Sequence, residues 1–480
     1  AGAPHASQRR RSQREGRFRG ACDGCDQRVA SEAGDVRLST GPVSDPIKDQ
    51  EPAVVGASAT LRVDRIAAGG EGVGREESGR VVFVPRTAPG DVVRVEIVEA
   101  KPRWARGRVR EYVNRGDGRR EAPCPAYGEC GGCRLQHLTP AEQRRSKRDL
   151  VESALRRIGS LDVEVPDPIA GGSEFAYRNR VTFSSGMSDG TLVAGFRTIY
   201  DPGALADVRE CLLAEEPIVE AWDGMRRAWD GGLCEPPVGP DTRITVRSAI
   251  DGAVDVLVRG GRPTGAKALR DLMEEVPGIV GWHHGGARDA PRCLAGEDTL
   301  ADRWQDTAFE LPADVFLQVN REVSAMLDGW LNVRAGDVGG SRILDLYSGV
   351  GARAIRWAKE GAHVTACEVD ERAVAACRKA AGGSSGRLAV IADRVENRIA
   401  ELLPVDLVVV NPPRAGLSRK VSEELATGSA ERLAYVSCDP ATLARDLGRL
   451  QPGWSVDEVQ PFDAFPQTAH VETVAWLNRC

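Results

Sequence analysis

From residue 341 onward the chain alternates short apolar runs with helical stretches, and this rhythm constrains the fold more than any other feature. The runs Ile343–Tyr347, His363–Cys367, Leu388–Ile391, Asp406–Val410, Leu433–Ser437 and His470–Trp476 read as strands, with helices between several of them. Strands interrupted in this way predict a doubly wound α/β sheet, whose ligand crevice lies at the carboxyl ends of the strands. The residues just after each run are therefore the ones to inspect for chemistry.

Asp345-Leu346-Tyr347-Ser348-Gly349-Val350-Gly351 follows the first run and precedes a helix, so a glycine turn lets the backbone approach a ligand closely. Glu368 ends the next strand, at the spacing where a carboxylate accepts hydrogen bonds from ribose hydroxyls. Dehydrogenases and methyltransferases share such a turn, and here Ala354 stands in place of the dinucleotide fingerprint's later glycine. Asp393 follows the third strand, Asn411-Pro412-Pro413-Arg414 the fourth and Cys438 the fifth, all on one rim. Together they read as a pocket for S-adenosyl-L-methionine beside a nucleophile. Cys438 lies where a strand gives way to the helical stretch Asp439–Arg445, a position at which the helix dipole favours thiolate. The competing reading of a lone cysteine is a buried, inert thiol.

At 480 residues the chain has room for about three domains, and no apolar run has the length of a bilayer span. A cytoplasmic monomer that does not engage membranes is expected. The net charge of -6 conceals six arginines among the first twenty residues, facing only Glu15, so residues 1–54 read as a disordered basic tail. Twelve cysteines in a cytoplasmic chain argue for metal binding or catalysis rather than disulfides. Cys22 and Cys25 lack a second pair, Cys367 and Cys377 read as small apolar residues, and Cys234, Cys293 and Cys480 have no informative neighbours. Cys124, Cys130 and Cys133 share a glycine-rich loop, and three thiolates there need a fourth ligand to close a zinc or iron–sulfur site. Their spacing is not the Cys-x3-Cys-x2-Cys of radical enzymes.

Residues 55–113 read as a small β module with strands at Thr60–Asp64, Arg80–Val84 and Val92–Val98, and with turns at Gly69–Gly74 and Pro89–Asp91. Lys101–Arg110 follows as a further strand with five basic residues and an aromatic. A single-signed charge of this kind suits nucleic-acid phosphates, with Arg103, Trp104, Arg106 and Arg108 as contacts; the plainer alternative is a solvated strand face. Beyond it lie a helix with a basic face (Arg144, Arg145, Lys147, Arg148, Arg156, Arg157) and strands at Arg178–Ser184, Leu192–Arg197, Arg243–Ser248 and Val254–Arg259. Helices are expected at Lys267–Glu275 and Arg321–Leu331.

Taken together, residues 55–477 resemble the RNA uracil-C5 (5-methyluridine) methyltransferases, in particular the 23S rRNA type. Ser437-Cys438 is similar to the family's nucleophile motif, Phe316-Leu317-Gln318-Val319-Asn320 to the motif ahead of its catalytic domain, and Phe462–Glu472 to its closing motif. The resemblance implies an N-terminal OB-like TRAM barrel (55–113) that binds RNA, a mixed α+β central domain (114–335) and a Rossmann-like class I methyltransferase domain (336–480). It further implies Cys438 as nucleophile and Glu472 as base, with Gln318, Tyr347, Gly349, Glu368, Asp393 and Asn411 around the cofactor. Arg414 would border both cofactor and target base. Cys211 falls where the family supplies the fourth thiolate of a four-iron–four-sulfur (4Fe–4S) cluster, completing Cys124, Cys130 and Cys133. The implied partner is RNA, 23S rRNA first and tRNA as the alternative, with a non-catalytic RNA-binding or ribosome-assembly factor as the reading from another class. Three departures stand out: Asn411 where the family most often has Asp, Ala352 where many members have Asn, and Ser348 as the second residue of the loop.

Overall fold

The computed structural model describes residues 54–239, 241–286, 289–382 and 386–480. The expected basic tail and the Cys22/Cys25 pair lie outside the described residues. Among the described residues no helix is long and apolar enough to cross a membrane.

The first five strands, β1 (Ser58–Ile66), β2 (Gly72–Arg75), β3 (Val81–Val84), β4 (Val92–Ala100) and β5 (Trp104–Asn114), close into a barrel in the order β1-β2-β3-β5-β4. Alternate residues fill it: Leu61, Val63, Val82, Val84, Val93, Val95, Ile97 and Ala105 form its core. The segment expected to be all turn, Gly69–Gly74, contributes strand β2 from Gly72 on. Its glycines disguised it, and they are there for space: a Cβ on Gly72 would lie 2.0 Å from Thr87 Oγ1 and 2.8 Å from Val63.

Next come α1 (Pro140–Ala154) and a two-residue strand, β6 (Ile169–Ala170). The central region then runs β7 (Arg180–Ser188), β8 (Thr191–Arg197), β9 (Leu205–Asp207), α2 (Glu216–Asp230), β10 (Arg243–Ser248), β11 (Val254–Arg259), α3 (Ala266–Glu275), β12 (Ile279–Gly285) and β13 (Arg292–Gly296). These strands form one seven-stranded sheet in the order β13-β12-β11-β10-β7-β8-β9. The amphipathic helices α2 and α3 bury Ile218, Trp222, Met225, Leu269 and Leu272 against it. A hairpin of β14 (Thr299–Trp304) and β15 (Thr307–Pro312) leads through Phe316–Asn320 into α4 (Arg321–Ala335).

The remaining elements are β16 (Arg342–Leu346), α5 (Ala352–Lys359), β17 (His363–Glu368), α6 (Glu371–Ala381), β18 (Leu388–Ala392), α7 (Val395–Leu402), β19 (Val405–Val410), α8 (Arg419–Thr427), β20 (Ala430–Ser437), α9 (Pro440–Leu450), β21 (Trp454–Asp463) and β22 (Glu472–Arg479). Their sheet has the order β18-β17-β16-β19-β20-β22-β21-β6. Strands β16 to β20 are parallel, and β22 runs antiparallel between β20 and β21. Both faces are covered, which is why the parallel strands read as continuous apolar runs. Leu344, Leu346, Val408, Val410, Leu433 and Tyr435 enter one core. Ile343, Leu407, Val409, Ala434 and Val436 enter the other.

Two differences from expectation concern how the polypeptide returns to this sheet. Strand β21 escaped notice because Asp457, Glu458, Gln460 and Pro461 interrupt its apolar pattern; Pro461 is tolerated where the strand's outer side is paired only at its end, by β6. Helix α1 does not present a purely solvated basic face. Lys147 is fully buried and its Nζ donates to Asp463 Oδ1 at 2.5 Å and to the Phe465 carbonyl at 3.0 Å. Val151 on α1, with Leu155, Leu161 and Val165 beyond it, packs into the core on the β19–β20 side of the sheet.

The Lys147–Asp463 pair gives a stability test. Lys147→Met leaves a buried carboxylate without its cation, which costs about 3–5 kcal/mol. Urea unfolding should register that loss, and the double variant Lys147→Met/Asp463→Leu should recover most of it.

Candidate active site

Strand order reverses about β16, with β17 and β18 on one side and β19 and β20 on the other. A crevice therefore opens at the carboxyl ends of β16 and β19, the place where such sheets bind ligands. The turn after β16 and the Asn411 segment after β19 flank it, and Asn411 N–H donates to the Leu346 carbonyl at 3.2 Å.

The turn is held in an unusual backbone shape. Tyr347 has φ +58°, in the left-handed region, and Gly351 has φ +68°. Gly351 also cannot carry a side chain, since a Cβ would lie 2.3 Å from Cys377 Sγ. The Tyr347 and Ser348 N–H groups donate to the Cys367 carbonyl at 2.9 and 3.3 Å, which ties the turn to β17. Glu368 is fixed by three backbone donors: Gly349 N–H to Oε2 at 2.9 Å, and Val369 and Asp370 N–H to Oε1 at 2.7 and 2.9 Å. An acceptor locked in this way needs no reorganisation to meet a diol. Asp393 sits half-buried on the same rim, where Asn397 Nδ2 and Arg394 N–H hold its carboxyl below the usual range.

Arg353, beside Ala352, is largely buried and donates twice to Asp328 Oδ1, at 3.0 and 2.8 Å, with Asp345 Oδ1 at 4.0 Å. Burial pushes the Asp345 carboxyl up to about 6, while Arg353 pulls the other way. Gln318 lies half-buried ahead of α4. Its carbonyl accepts from Asn179 Nδ2 at 3.0 Å, and Asn320 caps α4 while donating to the Ala464 carbonyl at 3.2 Å. The segment from Phe316 to Asn320 thus fastens the central sheet to the closing loop.

Cys438 is half-buried between β20 and α9. The helix N-terminus does not act on it as expected, because Asp439 Oδ1 takes the Ala441 and Thr442 N–H groups, each at 2.9 Å. Burial and then Glu472 push the Cys438 thiol up; Arg414, which hydrogen-bonds it, pulls it down. Glu472 opens β22 with its side chain almost fully buried, and its Oε2 has no hydrogen-bond partner. Burial pushes its carboxyl up to about 7, and Arg414 opposes that shift. The structure thus brings a thiol, a carboxyl and one guanidinium together at the end of β20, beside the crevice.

The closing loop between β21 and β22 carries anchors that sequence reasoning did not single out. Gln467 is buried with φ +70° and is bonded on every side. Its carbonyl accepts from Arg134 and Leu135 N–H at 2.9 Å each, its N–H donates to Gln143 Oε1 at 2.8 Å, and its Oε1 accepts from Arg120 and Gln143 at 3.0 and 2.9 Å. Tyr177 Oη donates to the Pro466 carbonyl at 3.0 Å. Its partners lie hundreds of residues away, so no local sequence signal could have marked Gln467.

Cys124, Cys130 and Cys133 lie on the loop after the barrel and Cys211 between β9 and α2, and all four thiols are free. Burial pushes the Cys130 and Cys133 thiols up, with Cys124 adding to the first shift and Cys211 and Cys130 to the second, so the four lie near one another. Arg86 of the barrel steadies the loop, donating to the Cys130 and Cys133 carbonyls at 2.9 Å each. On β5, Arg103 is exposed, Arg108 stacks 4.5 Å from the Tyr200 ring and Arg106 lies 5.7 Å from that of Trp104. The face is less single-signed than its sequence: Arg106 is paired with Glu71 and Glu99 at 2.8 and 3.0 Å.

Residues 52–109 match the TRAM domain, 329–435 the methyltransferase small domain, and 393–480 the tRNA (uracil-5-)-methyltransferase family. An uncharacterized RNA methyltransferase of Thermosynechococcus vestitus is 33% identical, the match covering 88% of this chain and 98% of that protein. Another such protein, of Streptomyces coelicolor, is 34% identical over 92% of this chain and 96% of its own length. The crystal structure of Pyrococcus abyssi tRNA (uracil-54, C5)-methyltransferase with S-adenosyl-L-homocysteine superposes with a TM-score of 0.66 at 26% identity, covering 87% of this chain and 99% of that one. A TRAM barrel, a class I methyltransferase sheet and full-length likeness to RNA methyltransferases lead to one conclusion: the chain belongs to the RNA uracil-C5 methyltransferase family and is an S-adenosylmethionine-dependent enzyme of that class.

Proposed function

We propose that the enzyme methylates C5 of a uridine in 23S rRNA through a covalent bond between Cys438 and C6 of the base. The observation that carries this reading is the convergence of Cys438, Arg414 and Glu472, with Glu472 buried and its Oε2 unpartnered. C5 of uracil is too weak a nucleophile to take a methyl group unaided, and a thiolate added to C6 removes that obstacle. The Cys438 thiolate bonds to C6, and the C5–C6 π pair moves to C5 and O4 as an enolate. Bound S-adenosylmethionine supplies an electrophilic methyl group and departs as the neutral thioether. C5 takes that methyl, Glu472 removes the C5 proton, and the freed electron pair re-forms the C5–C6 double bond and expels the thiolate. Arg414 offers a single positive charge to two groups that are both costly to ionise there.

The residues facing the crevice suit the cofactor. Glu368, with its carboxylate already oriented, would accept from the ribose hydroxyls, and Tyr347, Gly349, Asp393, Asn411 and Gln318 would border the nucleoside and amino-acid ends. The target uridine must leave its stack to reach Cys438. Arg103, Trp104, Arg106 and Arg108 would meet the RNA backbone and unstacked bases, Arg106 by exchanging its carboxylate partners for phosphate.

The four-cysteine group suits a 4Fe–4S cluster held by Cys124, Cys130, Cys133 and Cys211. Four thiolates can hold either a cluster or a single zinc ion, and the family resemblance favours the cluster. Such a group would secure the loop whose Arg134 and Leu135 grip Gln467, and its role is structural.

The cysteine group together with the barrel supports rRNA as substrate. The second reading is the same reaction on tRNA, favoured by the likeness to the P. abyssi enzyme, a tRNA (uracil-54, C5)-methyltransferase. Labelled methyl transfer to fractionated RNA, followed by mapping of the modified base, decides between them. Label in 23S rRNA is expected; label confined to tRNA overturns the rRNA assignment, and label in neither overturns the proposed reaction.

A further inference from the structure

Three strands of the central sheet assemble a set of metal-type donors that the reaction at Cys438 does not use. Strands β11, β12 and β13 are neighbours, and their register sets His283 opposite Cys293 and Gly281 opposite Asp255. The ligand atoms of His283, Cys293 and Asp298 all lie within 4.8 Å of one another. Asp255 stands outside that group, with its Oδ1 2.8 Å from His283 Nε2. His283 and Asp255 are buried, Cys293 is half-buried and Asp298 is exposed.

The His283–Asp255 contact is not an ordinary core hydrogen bond. Despite the short separation, Nε2 is buried and makes no hydrogen bond, because the carboxylate lies off the direction in which the ring N–H points. A buried polar atom left in this state is costly unless something else engages it. Gly281 lets these groups crowd against the strand. A Cβ at Gly281 would stand 2.7 Å from Asp255 Oδ1, 2.7 Å from the Glu297 carbonyl and 3.1 Å from His283 Nε2. An imidazole nitrogen, a carboxylate oxygen and a carbonyl oxygen therefore face one small volume. As a thiol, Cys293 donates to the carbonyls of Ala295, Gly296 and Glu297, at 3.4, 3.5 and 3.4 Å.

We propose that His283, Cys293 and Asp298 hold a zinc(II) ion, with Asp255 beside His283, at a site separate from the four-cysteine group and sharing no residue with it. One nitrogen, one sulfur and one carboxylate oxygen are donors that zinc accepts, and a water would complete the tetrahedron. The donors come from one edge of the central sheet and not from the crevice beside Cys438, so the ion is structural. It fastens edge strand β13 and the turn into β14 to the interior of the sheet, at the start of the hairpin that leads to Phe316–Asn320.

The test uses the full chain with its iron in place. Wild-type protein, Cys293→Ser and Asp298→Asn are dialysed against micromolar zinc chloride, and zinc and iron per chain are measured by plasma mass spectrometry. Wild type should retain about one zinc, and each variant should bind it about tenfold more weakly or worse, with iron unchanged. Zinc-edge X-ray absorption on the wild type should find one sulfur and three nitrogen or oxygen neighbours. Asp298 is exposed, so Asp298→Asn tests the site even if Cys293→Ser fails to fold. No zinc retained by wild type, equal zinc affinity in wild type and Asp298→Asn, or a four-sulfur shell overturns the proposal.

Discussion

Cys438→Ala is expected to lower methyl transfer by about 10⁴-fold or more while binding of S-adenosylhomocysteine stays unchanged. The magnitude follows from the role: without a nucleophile at C6 there is no enolate, and loss of a covalent nucleophile removes most of an enzyme's rate enhancement. Cofactor binding should survive because the turn after β16 and the Glu368 carboxylate are held by β17 and by backbone donors, none of which involves Cys438. The fold should survive too, since Cys438 is only half-buried and the N-cap of α9 is Asp439. Isothermal titration with S-adenosylhomocysteine and a labelled-methyl assay give the two halves of the result. Turnover within tenfold of wild type would exclude Cys438 as nucleophile. A matching loss of cofactor affinity would point instead to damage of the pocket.

The state of Cys438 departs from what its sequence position suggests. A thiol at a helix N-terminus is expected to ionise readily, yet Asp439 occupies the first free N–H groups, and burial together with Glu472 holds the thiol up. Arg414 is left as the group that favours thiolate. It also serves Glu472, so the two acids compete for one cation, and occupancy of the pocket by a base will alter that balance.

How much was legible follows from where each signal lies. Strands β16, β17, β19 and β20 were readable because both of their faces are largely buried, which leaves unbroken apolar runs between helices; β18, at the sheet edge, is only half-buried. Residues at the ends of those runs could be named from local motifs. Strand β21, with its acids and proline, and β2, with its glycines, carry no such pattern. The anchors of the closing loop were beyond reach for another reason. Lys147 reads as one more base on a charged helix, and only the fold brings it to Asp463, 316 positions on. Gln143 meets Gln467 across 324 positions. Cys293 had no informative neighbours in sequence because its partners come from adjacent strands and the following turn. Motifs within one segment survive in the sequence; contacts made by strand register and packing do not.

Glu472→Gln should separate the two halves of the reaction. The glutamine can no longer accept the C5 proton, so methylation proceeds but elimination does not. An RNA adduct on Cys438 should then accumulate and survive denaturing electrophoresis, with label from the methyl donor in the same band. The same substitution has a signature in stability. The Glu472 carboxyl is raised on folding from 4.5 to about 7, so between those values the native state binds more protons than the unfolded chain. Stability from this group therefore falls as pH rises through that window, and its cost is fully present above pH 7. Glu472→Gln removes the ionisation, so its unfolding free energy relative to wild type should climb between pH 5 and pH 8, by on the order of 3 kcal/mol. Any fixed cost of burying the amide shifts that difference equally at every pH and leaves the slope intact. In wild type turnover should rise through about pH 7 as the base ionises, with the adduct short-lived above that value. If the variant turns over normally, or if neither adduct nor pH-dependent stabilisation is found, Glu472 is not the base and the proton must leave C5 by another route.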